Sequence, residues 1–283
     1  MYRFPIGIML SGYKTDYKTA MSLARQMGLD GVQLSIGNRD FAVENMTAAK
    51  IAEIKDVAQS NGLEIVSVCG DVGKFVYRET NPALLEQSKR NLEITRALGC
   101  HIMTNHIGMI PADPTVEMYQ VMQDAIREAG EFAADLGVRF AIETGPEPAR
   151  ILKQFLDSLD VNGVGVNLDP ANLVMVSADD AIAAVYTLKD YIVHTHAKDG
   201  YQVKPCKPEY LYGVKQPVPE EYKAGGFYKE VDLGTGGVNF PVYLKALEQI
   251  GYQGYLTIER EKGNDPIADI QRAVDYLNLY LKG

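Results

Sequence analysis

Short β-rich runs and longer segments of helical period alternate along this chain, and that alternation limits its fold more than any other feature. The runs FPIGIML (4–10), GVQLSI (31–36), EIVSVCG (64–70), HIMTNHIG (101–108), VRFAIETG (138–145), VGVNLDP (164–170), IVHTHAKD (192–199) and GYLTIERE (254–261) read as strands. Helical periodicity follows each of them, over 17–28, 47–62, 82–98, 113–136, 151–159, 178–188, 240–251 and 266–281. Thr47 is placed to cap one N-terminus, and Gly62 the end of the same helix. QMGLDGVQ, SNGLEIV, ALGCHIM, DLGVRF and QIGYQGYL share one device: a glycine stops the helix and a strand starts within a few residues. Strict βα alternation with short connections implies a parallel sheet. Eight such units in 283 residues imply a single-domain (β/α)8 TIM barrel over 1–283. A doubly wound open sheet is the alternative, but it calls for a Gly-rich phosphate loop after an early strand, and GIMLSGYKTD is not one.

One connection breaks the rhythm. From Gly200 to about Asn239 the chain is rich in Tyr, Lys, Pro and Gly. Connections this long inside compact domains are usually lids or binding loops. The segment leaves the seventh strand at its C-terminal end, where barrels build their active sites. It therefore reads as an unstructured lid offering Tyr201, Tyr210, Tyr212 or Tyr222 to a substrate.

The strand ends carry the chemistry. Strands five to eight each end an apolar run with one imidazole or carboxylate: Glu143 in FAIETGP, Asp169 in GVNLDPAN, His196 in HTHAKD and Glu259 in LTIERE. Three carboxylates and an imidazole converging on one mouth repel and desolvate one another unless a cation sits among them. A mixed oxygen and nitrogen donor set without thiolate suits Mn²⁺, Mg²⁺, Co²⁺ or Zn²⁺. Asp169 before Pro-Ala-Asn also suits a helix cap. His194, two residues before His196, shares its face at greater depth and reads as core. His106 in TNHIG and Lys198 are further candidates to meet a substrate, with Asp71, Asn105 and Asp199 at the same mouth. Lys198, Lys204, Lys207 and Lys215 raise the question of a phosphate, although a solvated lid accounts for most of them.

RFAIETGP, VGVNLDPAN, HTHAKD, GTGGVNF and YLTIERE, in this order, resemble the xylose-isomerase-like TIM-barrel superfamily of sugar (phosphate) isomerases and epimerases. The resemblance covers nearly the whole chain and is specific as a set. It implies one divalent metal ion held by Glu143, Asp169, His196 and Glu259, with Glu143 and Glu259 acting as acid and base through an enediolate. Ketohexose 3-epimerases of this family carry a carboxylate, a histidine and an arginine where this chain has Ala149, Asn172 and Gln202. The metal set thus persists without that substrate shell. Glu147, from a shifted position, and Asn172 are the expected substitutes.

The implied activity is isomerisation or epimerisation of a keto-sugar or its phosphate. A lyase or dehydratase acting on a keto-inositol or keto-glycoside shares the metal and differs in the fate of the enolate. A non-catalytic sugar-binding barrel is the third reading. A nuclease on this fold is disfavoured by the net charge of −9 and by four histidines, too few for a multi-zinc cluster. Cys69, Cys100 and Cys206 have no C-x-x-C spacing and suit reduced thiols. The N-terminal run MYRFPIGIML lacks a signal peptide's features, and no stretch has the length of a membrane span. A cytoplasmic protein is expected, with a small carbohydrate as its partner, no nucleic acid and no membrane, and with a homo-oligomer left open.

Overall fold

A computed structural model of the chain describes residues 1–37 and 39–281. Seven strands run parallel in succession: β1 (Ile6–Met9), β2 (Gly31–Ser35), β3 (Glu64–Cys69), β4 (Ile102–Asn105), β5 (Arg139–Glu143), β6 (Val164–Leu168) and β7 (Ile192–Ala197). An excursion then forms an antiparallel hairpin of β8 (Asp199–Gln202) with β9 (Tyr228–Val231). The chain returns as β10 (Leu256–Ile258), which pairs with β7 on one side and β1 on the other and closes the eight-stranded barrel. The barrel read from the sequence is therefore the fold, formed as one domain.

Helices Tyr17–Gln26, Ala48–Ser60, Asn81–Ala97, Glu117–Leu136, Ala149–Leu159, Ala181–Thr187, Phe240–Gln249 and Pro266–Leu281 surround it. Their starts follow capping chemistry. Asp16 accepts hydrogen bonds from Lys18 and Thr19 N–H, Thr47 from Lys50, and Asp180 from Ile182 and Ala183. The helix Ala149–Leu159 shows why such segments pack. Its buried Ile151, Leu152, Phe155, Leu156 and Leu159 form one apolar stripe, and each side chain removed from water contributes about 1.5–3 kcal/mol. Close approach also matters: a Cβ on Gly163 would lie 1.8 Å from the Gly130 carbonyl oxygen, so bulk there would push the Glu117–Leu136 helix off β6.

Three expectations need correction. The helix expected from Asp113 begins at Glu117, because the Asp113 carboxylate bonds the N–H and hydroxyl of Thr115 and holds a turn instead. The helix expected from 178 begins at Ala181, since Ala178 adopts a left-handed conformation and Asp180 supplies the cap. The 200–239 segment is not structureless: besides the β8–β9 hairpin it holds helical turns at Pro208–Leu211 and Glu220–Ala224. Among the described residues no helix is long and apolar enough to cross a membrane.

Candidate metal centre

Side chains along a strand alternate in direction, so residues two apart line the same wall of the barrel. Past Ala141 on β5 stands Glu143, past Asn167 on β6 stands Asp169, past His194 on β7 stands His196, and past Thr257 on β10 stands Glu259. All four are buried, and one donor atom from each lies within 4.8 Å of the others. His196 Nδ1 is 2.9 Å from Glu259 Oε2 and 3.7 Å from both Glu143 Oε1 and Asp169 Oδ2.

Neighbouring groups aim these donors. Gln33 on β2 places its Oε1 at 3.0 Å from His196 Nε2, while its own amide donates to Thr104 Oγ1. With Nε2–H donating to Gln33, Nδ1 keeps its lone pair toward the common centre. Asn167 Nδ2 donates to Glu143 Oε2 at 3.1 Å, and Asn172 Nδ2 to Glu143 Oε1 at 3.0 Å. Asp169 divides its labour: Oδ1 accepts the N–H groups of Ala171 and Asn172 as a helix cap, and Oδ2 faces the centre. The helix-cap reading of Asp169 thus holds, and its other oxygen is left facing the cluster.

The residues fit a divalent cation. Asp169 Oδ2 and Glu259 Oε2 are buried without a hydrogen-bond partner, an arrangement that costs about 1–3 kcal/mol per group, more for a charged one. Lys198 and His196 come close to Glu259 Oε2 but without hydrogen-bond alignment. Burial lowers the His196 pKa, yet Glu259 and Glu143 outweigh it and push the value up to about 10. Burial likewise raises the carboxyl of Asp169, whereas Lys198 and His196 hold Glu259 well below the usual range. A cluster that draws a proton onto a fully buried imidazole is one that a metal cation would satisfy.

The remaining candidates fall into two groups. His106, Asn172 and Lys198 border the quartet. His106 Nδ1 lies 2.8 Å from Asp71 Oδ2, and its Nε2 is turned toward Glu143 Oε1 at 3.5 Å. Lys198 stands inside the cluster, 3.0 Å from Glu259, 3.8 Å from Asp169 and 3.4 Å from Glu261. Glu147 is different. It is buried beyond β5 and accepts the Ile110 N–H at 3.0 Å, and burial raises its pKa to about 8. From the excursion, Tyr212 brings its hydroxyl to the Gly145 turn just past Glu143, and its carbonyl bonds Lys74. Tyr222 instead stacks on Phe227, Lys204 lies over Phe227, and Lys215 over Tyr210. Asn105 donates to the Met103 carbonyl, and His194 pairs with Ser67, as core groups do. The sequence reading missed Gln33 and Asn167, and treated Asp71 only as a polar neighbour. A strand glutamine or asparagine facing inward was the one signal for them.

The family model described as xylose isomerase-like TIM barrel matches residues 21–280. The chain belongs to this family. Among solved structures, a xylose isomerase domain protein from Planctomyces limnophilus superposes with a TM-score of 0.79 at 22% identity, over 98% of this chain and 97% of that one. The 3-keto-D-glucoside 4-epimerase of E. coli gives 0.69 at 16% identity, over 99% and 100%. A xylose isomerase-like TIM barrel protein from Mycobacterium smegmatis, in complex with magnesium, gives 0.67 at 18% identity over 99% and 100%. In sequence, the inosose dehydratase of Clostridium perfringens is 24% identical over 52% of this chain and 48% of its own length. The match thus spans about half of that dehydratase.

Proposed function

We propose that the chain is a divalent-metal-dependent enzyme that isomerises or epimerises a keto-sugar, with Glu143, Asp169, His196 and Glu259 holding the ion. The observation that carries this is the buried convergence of four donors with two carboxylate oxygens left unpartnered. Mn²⁺, Mg²⁺, Co²⁺ and Zn²⁺ all suit the donor set. When bound, the ion supplies Lewis-acid polarisation of a substrate carbonyl, which acidifies the adjacent C–H.

The chain's own residues do the proton work. Asn167 and Asn172 fix the Glu143 carboxylate, and, against the burial that raises its pKa, the neighbouring His106 and His196 hold it below the usual range and fit to remove a proton. His106, oriented by Asp71, sits beside Glu143 as a donor for a developing oxyanion or a relay for its proton. Glu143, protonated by that step, returns the proton to the neighbouring carbon in an isomerisation. For return to the other face, Glu259 approaches from β10, across the cluster from β5, and passes on a proton received from Lys198, 3.0 Å away. Asn172, which bonds Glu143, and Glu147, kept neutral by burial, are the residues this reading assigns to substrate hydroxyls. In this reading the 200–239 excursion serves as the lid, with Tyr212, whose hydroxyl lies by Gly145, as its inward contact.

One observation favours a second reading, β-elimination. Loss of a hydroxyl requires a proton donor, and Lys198 is held cationic against Glu259 and Asp169. The inosose dehydratase relative agrees with it. Keto-sugars and keto-cyclitols incubated in D₂O with Mn²⁺ separate the two. Deuterium entering a C–H with the carbon skeleton intact supports isomerase chemistry, and an ultraviolet-absorbing enone with loss of water supports elimination. Neither change across the panel, with metal bound, would refute both.

A further inference from the structure

The excursion is fastened over one side of the barrel mouth. Lys74, beyond β3, bonds the Tyr212 carbonyl, the Tyr212 hydroxyl lies by Gly145 beyond β5, and Gln202 donates to the Met175 carbonyl beyond β6. On the other side, between the segments that follow β1 and β2, a cleft of about 270 Å³ opens. Ser35, in its lining, ties the cleft to the candidate metal centre. It ends β2, two residues past Gln33, whose Oε1 is 3.0 Å from His196 Nε2. Residues two apart on a strand face the same wall, so Ser35 faces the barrel interior about 7 Å farther along β2, toward the mouth.

The lining has two characters. Leu10, Tyr17 and Phe41 are buried and apolar, with the two aromatic rings 5.5 Å apart. Ser35, Lys14 and Asp40 add a hydroxyl, an ammonium and a carboxylate, and Asp40 Oδ2 also accepts the Tyr17 N–H at 3.2 Å. Apolar walls with a few polar groups are the usual make-up of a small-molecule site. A sugar ring matches this one, with C–H faces for the walls and hydroxyls for both donors and acceptors. The opposite charges of Lys14 and Asp40 offset each other and give a phosphate no net attraction.

We infer that this cleft binds the second sugar of a glycosidically linked substrate, whose keto-sugar unit lies at the quartet. The keto-sugar unit rests on the function proposed above, and the second-sugar subsite rests on the cleft. A single ring with its carbonyl at the quartet does not also occupy this cleft, which is close to the smaller protein ligand pockets, about 300 Å³, in size. A glycosidic bond spans the step from one to the other, along the wall that Gln33 and Ser35 share.

The test has two arms. In the first, methyl glucosides are titrated into EDTA-treated protein and followed at the amide resonances of Lys14, Ser35 and Asp40. Saturable shifts are expected in the wild type, and Ser35→Phe, which fills the cleft, should abolish them. In the second, solvent-deuterium exchange into the fructosyl unit is compared for fructose, turanose, maltulose and isomaltulose with Mn²⁺-loaded enzyme. At least one disaccharide should exceed fructose in kcat/KM by about tenfold or more, the worth of one or two added hydrogen bonds, and Ser35→Phe should bring that ratio close to one. Should Ser35→Phe not fold, Thr15→Trp at the exposed edge of the cleft takes its place in both arms. Absence of shifts with the glucosides, or fructose exchanging as efficiently as every disaccharide, overturns the inference. If the glucosides shift these amides and no keto-sugar exchanges, the keto-sugar reading falls and the sugar subsite stands.

Discussion

Replacing Glu147 by Gln should stabilise the protein at pH 9 and change little at pH 4. The carboxyl is 3% exposed, and its one hydrogen bond among the described residues comes from the Ile110 N–H, which a glutamine oxygen accepts equally well. Burial moves its pKa from 4.5 to about 8. Between those values the folded protein keeps a proton that the unfolded chain releases. Stability therefore falls as pH rises through this window, and the loss is complete above about 8. The slope is about 1.4 kcal/mol per pH unit for one proton, and the interval corresponds to a ceiling of about 5 kcal/mol. The glutamine amide of Glu147→Gln does not titrate, so the variant escapes this slope. Urea unfolding of both proteins from pH 4 to 9, with EDTA present, gives the difference curve in which all other titrating groups cancel. A difference that is flat with pH, or one that favours the wild type as pH rises, would refute a buried neutral carboxyl at this position.

The candidate metal centre yields the other expectations. His196→Ala should lose bound metal in elemental analysis together with activity, because it removes the imidazole of the proposed four-residue set. Glu143→Gln and Glu259→Gln should each retain much of the metal but lower solvent-deuterium exchange into substrate by about 10²–10⁴-fold, the usual loss for a general acid–base group. If one of them exchanges at the wild-type rate, the chemistry needs a single base. Gln33→Met should weaken metal binding by about 10–100-fold without unfolding the barrel, since it removes the acceptor that orients His196. Calorimetric titration with Mn²⁺ measures this, and an unchanged affinity would remove Gln33 from the site.

Much of this molecule was legible before any coordinates. Glycine-terminated helices alternating with apolar strands specify a parallel closed sheet, because local periodicity and local stop signals act within a few residues. The quartet was legible for a related reason: a lone polar residue ending an apolar strand has a fixed direction once the strand is buried. The excursion was legible as an interruption but not as a hairpin, because Asp199–Gln202 and Tyr228–Val231 pair across a long separation that no local pattern encodes.

The sequence by itself determined the barrel, the wall each strand end faces and the chemical type of the four donors, all consequences of short-range backbone geometry. The tertiary structure alone decided how those donors are tuned. It set Gln33 of β2 against His196 of β7, Asp71 beyond β3 against His106 beyond β4, and Lys198 between Asp169 and Glu259. It also turned the carboxylate of Asp199 into the loop at 234–238 rather than into the mouth. These pairings join residues far apart in the chain, and burial strengthens each by excluding the water that would otherwise compete for the same donors and acceptors.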